Sequence, residues 1–137
     1  MSYLLDTNVV SELRKASRCD PGVASWHRSL APGSVYLSVL VVGELRRGVE
    51  SVRRRDSAAG AALDAWLGRL VEDYGERLLP VGRAVADTWG RLNVPDPLPA
   101  VDGLLAATAL THDLTLVTRN LVHVQRTGAR CFNPFTS

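Results

Sequence analysis

The chain has 137 residues, 46% of them hydrophobic, with a formal charge of +2. That suffices for one domain with a proper core, and it is too little net charge for strong general affinity to nucleic acid. Two cysteines, Cys19 and Cys131, are too few for a disulfide framework, and neither stands in a CxxC pair. The start, MSYLLDTNVV, has no basic region and no long apolar run. No stretch approaches the roughly 18 apolar residues of a membrane span, so a reduced, soluble, cytoplasmic protein with no membrane partner is expected.

The apolar run Tyr3–Leu5 ends at Asp6 and predicts a buried first strand. Residues 8–13 predict a helical turn, with Asp6 or Thr7 as its cap. Asp20-Pro21-Gly22 is a turn and helix-start signal, and residues 23–30 form an amphipathic helix with Trp26 on the apolar side. Pro32-Gly33 breaks the chain. Val35–Ser38 is a second strand and residues 39–55 a helix. Residues 56–60 read as a break, and 61–74 resume helical periodicity with Leu63, Trp66, Leu67 and Leu70 on one face. Residues 78–81 predict a third strand and 84–92 a helix. Pro95, Pro97 and Pro99 enforce an extended loop. A helix of small residues over 100–111 precedes strands at 114–118 and 129–132.

Strands alternating with helices argue for an α/β fold: a three-layer α/β/α sandwich around a central, mainly parallel sheet of about five strands. No internal repeat, low-complexity tract or dividing linker interrupts the chain, so residues 1–137 read as a single domain.

Four polar residues stand where such a fold would place apolar ones: Asp6, Glu44, Asp102 and Asn120. The carboxyl ends of parallel strands converge on one crevice, where α/β proteins keep their sites. Asp6 directly follows a strand, which makes it either a helix cap worth about 1 kcal/mol or a site carboxylate. Glu44 shares its helical stripe with Leu40, Val41 and Gly48, and a carboxylate there needs a partner, either an Arg or a metal. Asp102 lies in the first turn of its helix, where the dipole alone favours a negative charge. Ala106 and Ala109 on the same face would let that helix approach a neighbour closely. Thr118, Arg119 and Asn120 follow the fourth strand, as a capping turn or as a hydroxyl, a cation and an amide in the crevice.

Taken together, three carboxylates without His or Cys ligands point to Mg²⁺ or Mn²⁺ rather than zinc. Such ions activate water and neutralise charge in phosphoryl displacement. His27 and His112 read as helix-surface or helix-end residues, and His123 lies beyond the Thr-Arg-Asn turn. No GxSxG, P-loop or GxGxxG is present. Fifteen of the sixteen basic residues are Arg, clustered at Arg46-Arg47 and Arg53-Arg54-Arg55. That cluster is either a solvated helix face or a set of phosphate contacts.

Four blocks carry a family resemblance: LLDTNVVSELRK at 4–15, VVGELRRG around Glu44, PLPAVDGLLAATAL around Asp102, and LVTRN at 116–120. With TGARCFNPF as a closing strand, the chain resembles the PIN-domain ribonucleases, specifically the VapC-type (FitB-like) toxins of bacterial toxin–antitoxin pairs. The resemblance implies a sandwich with a parallel sheet and an acidic metal site. In it, Asp6, Glu44 and Asp102 match the metal-binding acids, and Thr7 and Thr118 match hydroxyl positions near metal or substrate. It implies endonucleolytic cleavage of RNA leaving 5′-phosphate and 3′-hydroxyl ends, with Asn120 and Thr118 positioning water and phosphate. Arg119 and the Arg46–Arg55 cluster are implied candidates for the RNA backbone. It also implies a homodimer neutralised by a VapB-like antitoxin. The family often has a fourth acid; here Asn120 stands there, and His123-Val124 replaces a common Asp-Phe.

Rival readings divide on particular residues. A phosphatase or receiver-type domain would need a second Asp where Asn8 stands, and a late Lys where the chain has only Lys15. A PIN-like module that binds RNA or a partner without cutting is the minor reading that Asn120 keeps open. An enzyme acting on DNA would share the same chemistry.

Overall fold

The computed structural model describes residues 1–136. Five strands form one sheet in the order β3-β2-β1-β4-β5, every neighbouring pair parallel. They are β1 Tyr3–Leu5, β2 Val35–Ser38, β3 Leu78–Leu79, β4 Thr115–Val117 and β5 Cys131–Phe132. Six helices connect and cover them: α1 Thr7–Leu13, α2 Pro21–Arg28, α3 Val39–Arg55, α4 Ser57–Tyr74, α5 Arg83–Leu92 and α6 Ala100–His112. The three-layer parallel α/β/α architecture expected from the alternation is therefore the one observed.

Parallel strands covered on both faces should be mostly apolar, and apart from Ser38 in β2 and Thr115 in β4 they are. Leu4, Leu5, Leu37 and Val117 are fully buried, with Leu116 almost so. Each such side chain contributes about 1.5–3 kcal/mol relative to exposure. β3 stops at Leu79 rather than continuing to residue 81. Pro80 follows, and without an N–H it cannot extend the ladder.

The α3–α4 junction differs from the break expected over 56–60. One residue, Asp56, ends α3 and caps α4, its carboxylate accepting from the Ala59 N–H at 3.0 Å. Gly60 is helical and buried, and a Cβ there would lie 2.6 Å from Arg53 Cα. Its role is to let the two helices touch, and not to break one.

The α3 stripe also shifts from the expected one. Val41, Leu45 and Val49 face the core, while Gly48 is exposed and Glu44 sits half-buried beside them. Arg46 and Arg53 both pair with Asp64 of α4, at 2.9 and 2.6 Å, and Arg46 also reaches Glu50. For these two members of the Arg46–Arg55 cluster, the helix-face reading describes what they contact. Cys19 and Cys131 are both free thiols. Among the described residues, no helix is long and apolar enough to cross a membrane.

Candidate active site

The strand order places β1 at the centre, with β2 and β3 on one side and β4 and β5 on the other. The chain reverses its direction of build between β1 and β4, and there the flanking crossovers part to leave a crevice at the carboxyl ends of the strands. Asp6 ends β1 and Thr118 ends β4, so the two meet at that point. The Thr118 hydroxyl donates to Asp6 Oδ2 at 2.7 Å, and both residues are buried.

Asp6 is the helix cap that one reading of the sequence expected. Its Oδ1 accepts from the Thr7 N–H at 2.7 Å as the cap of α1. Its Oδ2 faces the crevice, with the Asn8 amide 3.4 Å away. The next residue, Thr7, donates its hydroxyl to Glu44 Oε1 and so draws α3 toward the strand ends. Glu44 is thus held by a hydroxyl and takes no part in the ion pairs among the described residues.

Asp102 stands in the first turn of α6, with Pro99 at the N-cap position and no side-chain capping bond. The helix reaches its position by close contact. Gly103 leaves a Cβ only 3.2 Å from both Leu98 and Trp89, and Ala106, Ala107 and Ala109 are buried. Asp102 itself is half-buried. The loop before it is pinned by Arg126, which donates to the carbonyls of Asp96 and Pro97 at 2.7 and 3.3 Å. That contact joins the approach to Asp102 with the segment that follows Asn120.

Burial pushes the Asp102 carboxyl above its ordinary value. The charge of Asp6 pushes the same way, His123 opposes it, and Glu44 adds a further upward push. Three carboxylates that are distant in sequence therefore share one field, and the field is negative.

Asn120 is exposed just beyond, its N–H donating to Thr118 Oγ1 at 3.1 Å. The capping-turn reading of Thr118-Arg119-Asn120 thus holds locally, alongside the bond to Asp6. Arg119 is exposed, its N–H donating to Asn8 Oδ1 at 3.3 Å and its guanidinium lying 4.6 Å from the Phe135 ring centre. Asn8 therefore ties the ends of β1 and β4 together, a role the sequence reading missed. Its signal was the residue itself, an amide two positions after the acid, which was weighed only as a missing second Asp. His123, felt electrostatically by Asp102, was likewise passed over.

The donor set is all oxygen: three carboxylates, two hydroxyls and an amide. Among the described residues, no three His, Cys, Asp or Glu side chains gather closely enough to cage an ion by themselves. A hard cation that keeps several waters and takes few protein ligands fits this open set, and zinc does not.

The sequence profile of the PIN domain matches residues 3–127. The chain belongs to the PIN-domain family. This PIN domain is 32% identical over 139 residues to the toxin FitB of Neisseria gonorrhoeae, spanning 96% of this chain and 97% of that one. It is 31% identical over 140 residues to the VapC ribonuclease Y4jK of Sinorhizobium fredii, spanning 96% of each. Its fold matches the crystal structure of FitAcB from Neisseria gonorrhoeae with a TM-score of 0.87 at 32% identity, over 96% of this chain and 97% of that one.

Proposed function

We propose that this PIN domain is a metal-dependent endoribonuclease, the toxin of a VapBC-like toxin–antitoxin pair. The carrying observation is the meeting of Asp6 and Thr118 at the switch point, within the same negative field as Glu44 and Asp102. Carboxylates that repel one another in a crevice are retained where a cation will balance them.

Asp6 and Asp102 would hold Mg²⁺, with Mn²⁺ as a substitute, and Glu44 would hold it or orient the attacking water. When bound, the ion supplies positive charge that favours hydroxide from water and neutralises charge on the phosphate. Thr118 keeps Asp6 oriented, while Asn120 faces the open side where water and phosphate enter. Thr7 fixes Glu44 against the strand ends. Arg119 offers a guanidinium beside that entrance for the RNA backbone. The product ends would be a 5′-phosphate and a 3′-hydroxyl.

The antitoxin is expected in the groove that α1, α3 and α4 leave open beside Thr7 and Glu44. A cavity of about 210 Å³ lies there, lined by Arg14, Leu45, Val49, Leu63 and Trp66 among others. Apolar walls leading to an acidic end suit an amphipathic segment that ends in a basic side chain. The names of the related proteins, a toxin and a VapC ribonuclease, support this reading. So does the FitAcB complex among the similar structures. The whole chain would act as one domain within a homodimer.

The test is cleavage of RNA by antitoxin-free protein with Mg²⁺ or Mn²⁺, against Asp6→Ala and Asp102→Ala. Cleavage lost in both variants, with folding retained, supports the nuclease. Intact RNA with the wild type would favour the module that binds without cutting.

A further inference from the structure

The loop from α5 to α6 is short of donors. Pro95, Pro97 and Pro99 carry no N–H, and residues 94–97 are exposed, so the loop has few hydrogen bonds of its own to give. The helix it leads into has, among the described residues, no side-chain cap to hold its start. Asp102 nevertheless stands only three residues after Pro99. A carboxylate that shares a cation with groups on other elements works only if partners behind it keep it in place.

Two side chains hold this loop, and they do different things. Asn93 closes the loop upon itself, its amide donating to the Trp89 carbonyl at 2.7 Å and its Oδ1 accepting from the Leu98 N–H at 2.9 Å. Leu98 is buried and packs on Gly103, where a Cβ would lie 3.2 Å from its own. The Asn93 bonds span four and five positions, so they fix the shape of the loop and not its place in the molecule.

Arg126 fixes the place. Its Nη2 donates to the carbonyls of Asp96 and Pro97 at 2.7 and 3.3 Å, across 30 and 29 positions. Arg126 belongs to the segment between β4 and β5, downstream of Thr118 and Asn120, and that segment is anchored. Val124 is buried, its carbonyl accepts from the Thr127 hydroxyl at 2.6 Å, and that hydroxyl oxygen accepts from the Ala129 N–H at 3.2 Å. At the other end of the segment, Thr118 is bonded to Asp6. The strand end that holds Asp6 and the loop that carries Asp102 are thus tied through Arg126.

We propose that Arg126 is a positioning residue, which fixes Asp102 relative to Asp6 by holding the approach to α6. The consequence for a divalent cation rests on the metal-site reading. Charge alone predicts the opposite sign: removing a cation near acidic groups strengthens their attraction for Mn²⁺, whereas a displaced carboxylate weakens it.

Arg126→Met keeps the aliphatic stem and removes the donors. Titration calorimetry of the full chain with Mn²⁺ should show Kd raised about three- to tenfold, below the usual effect of a partner bonded directly to a ligand because Arg126 acts through the loop. Arg126→Lys, which can still donate to a carbonyl, should recover part of the affinity. Unchanged or tighter Mn²⁺ binding by Arg126→Met overturns the proposal. Amide hydrogen exchange in chelator reads the positioning without metal. The Leu98 N–H, bonded to Asn93, and the Gly103 N–H, bonded to the Pro99 carbonyl, should exchange about three- to tenfold faster in Arg126→Met, while the Ala86 N–H in α5, bonded to Gly82, keeps its rate. Equal acceleration at all three sites marks a general loss of stability and overturns the proposal, as does no change at Leu98 and Gly103. Should Arg126→Met fail to fold, Arg126→Gln replaces it in both measurements with the same expectations. A wild type that takes up no Mn²⁺ removes the metal-site reading alone, and the exchange rates then decide whether Arg126 holds the approach to Asp102.

Discussion

The Thr118 hydroxyl donates to Asp6 Oδ2 across 112 positions of the chain, at 2.7 Å between two buried residues. The bond joins the carboxyl ends of β1 and β4, which arise from different halves of the sheet. A buried carboxylate deprived of a donor costs about 1–3 kcal/mol. Thr118→Val, similar in shape but without the hydroxyl, is therefore expected to lose about 1–2 kcal/mol of stability. Its RNA cleavage should fall about tenfold, the factor that roughly 1.4 kcal/mol represents in a rate. Thr118→Ser should keep most of both. Urea unfolding in a chelator, paired with a cleavage assay, measures the two effects; a Thr118→Val protein unchanged in both would make the hydroxyl inert.

Asp102 predicts an opposition between stability and activity. Its carboxyl is held above 3.8 by burial, by Asp6 and by Glu44, against His123. An acid whose folded-state pKa is raised binds its proton more tightly when folded than when unfolded. Its penalty on the metal-free fold is thus complete above the folded pKa and fades as pH falls toward 3.8. Asp102→Asn should consequently melt higher than wild type in chelator at neutral pH, and the advantage should shrink in mild acid. The gain is expected to be only about 0.5 kcal/mol, because Asp102 is half open to screening solvent. Cleavage should vanish. Melting curves across pH with and without Mn²⁺ decide it, since bound metal should reverse the order of the two proteins.

Gly60→Ala sets two effects against each other. Alanine in a helix interior gains about 1 kcal/mol over glycine. The new Cβ would lie 2.6 Å from Arg53 Cα and 2.7 Å from Arg53 Cβ, and a backbone atom cannot rotate away. Forced overpacking costs about 1–3 kcal/mol, so the clash should prevail and Gly60→Ala should lower stability. Gly68→Ala lies on the same helix with nothing near its Cβ, and it should be neutral or stabilising. Chemical denaturation of the pair checks the sign.

The architecture was legible because its punctuation is local. Leu5 gives way to Asp6 and Ser38 to a helix, and in both places the capping side chain stands next to the element it ends. What escaped was contact at long sequence range. Gly60 read as a breaker because its reason, Arg53 on the facing helix, is written elsewhere in the chain. The α3 stripe was drawn through Gly48, whereas packing against α4 turns Val49 inward and leaves Glu44 at the border. Asn8 meets its partner, the Arg119 N–H, 111 positions away. The acids were individually visible, yet nothing local tied Thr7 to Glu44 or Thr118 to Asp6.

Asn120 offers a test of how much negative charge the crevice uses. It is exposed beside Thr118, and an Asp there would add a charge to a field that already raises Asp102. Without metal that addition should lower the melting temperature slightly. With metal it should be favourable, since a unit charge about 4 Å from another in water is worth about 1 kcal/mol, and twice that against a divalent ion. Asn120→Asp is therefore expected to bind Mn²⁺ about five- to thirtyfold more tightly. Cleavage at limiting metal should be equal to or above wild type. Titration calorimetry with Mn²⁺ measures the first effect directly. Unaltered affinity in a folded Asn120→Asp protein would place this side chain outside the reach of the ion, leaving Asp6, Glu44 and Asp102 as the whole acidic set.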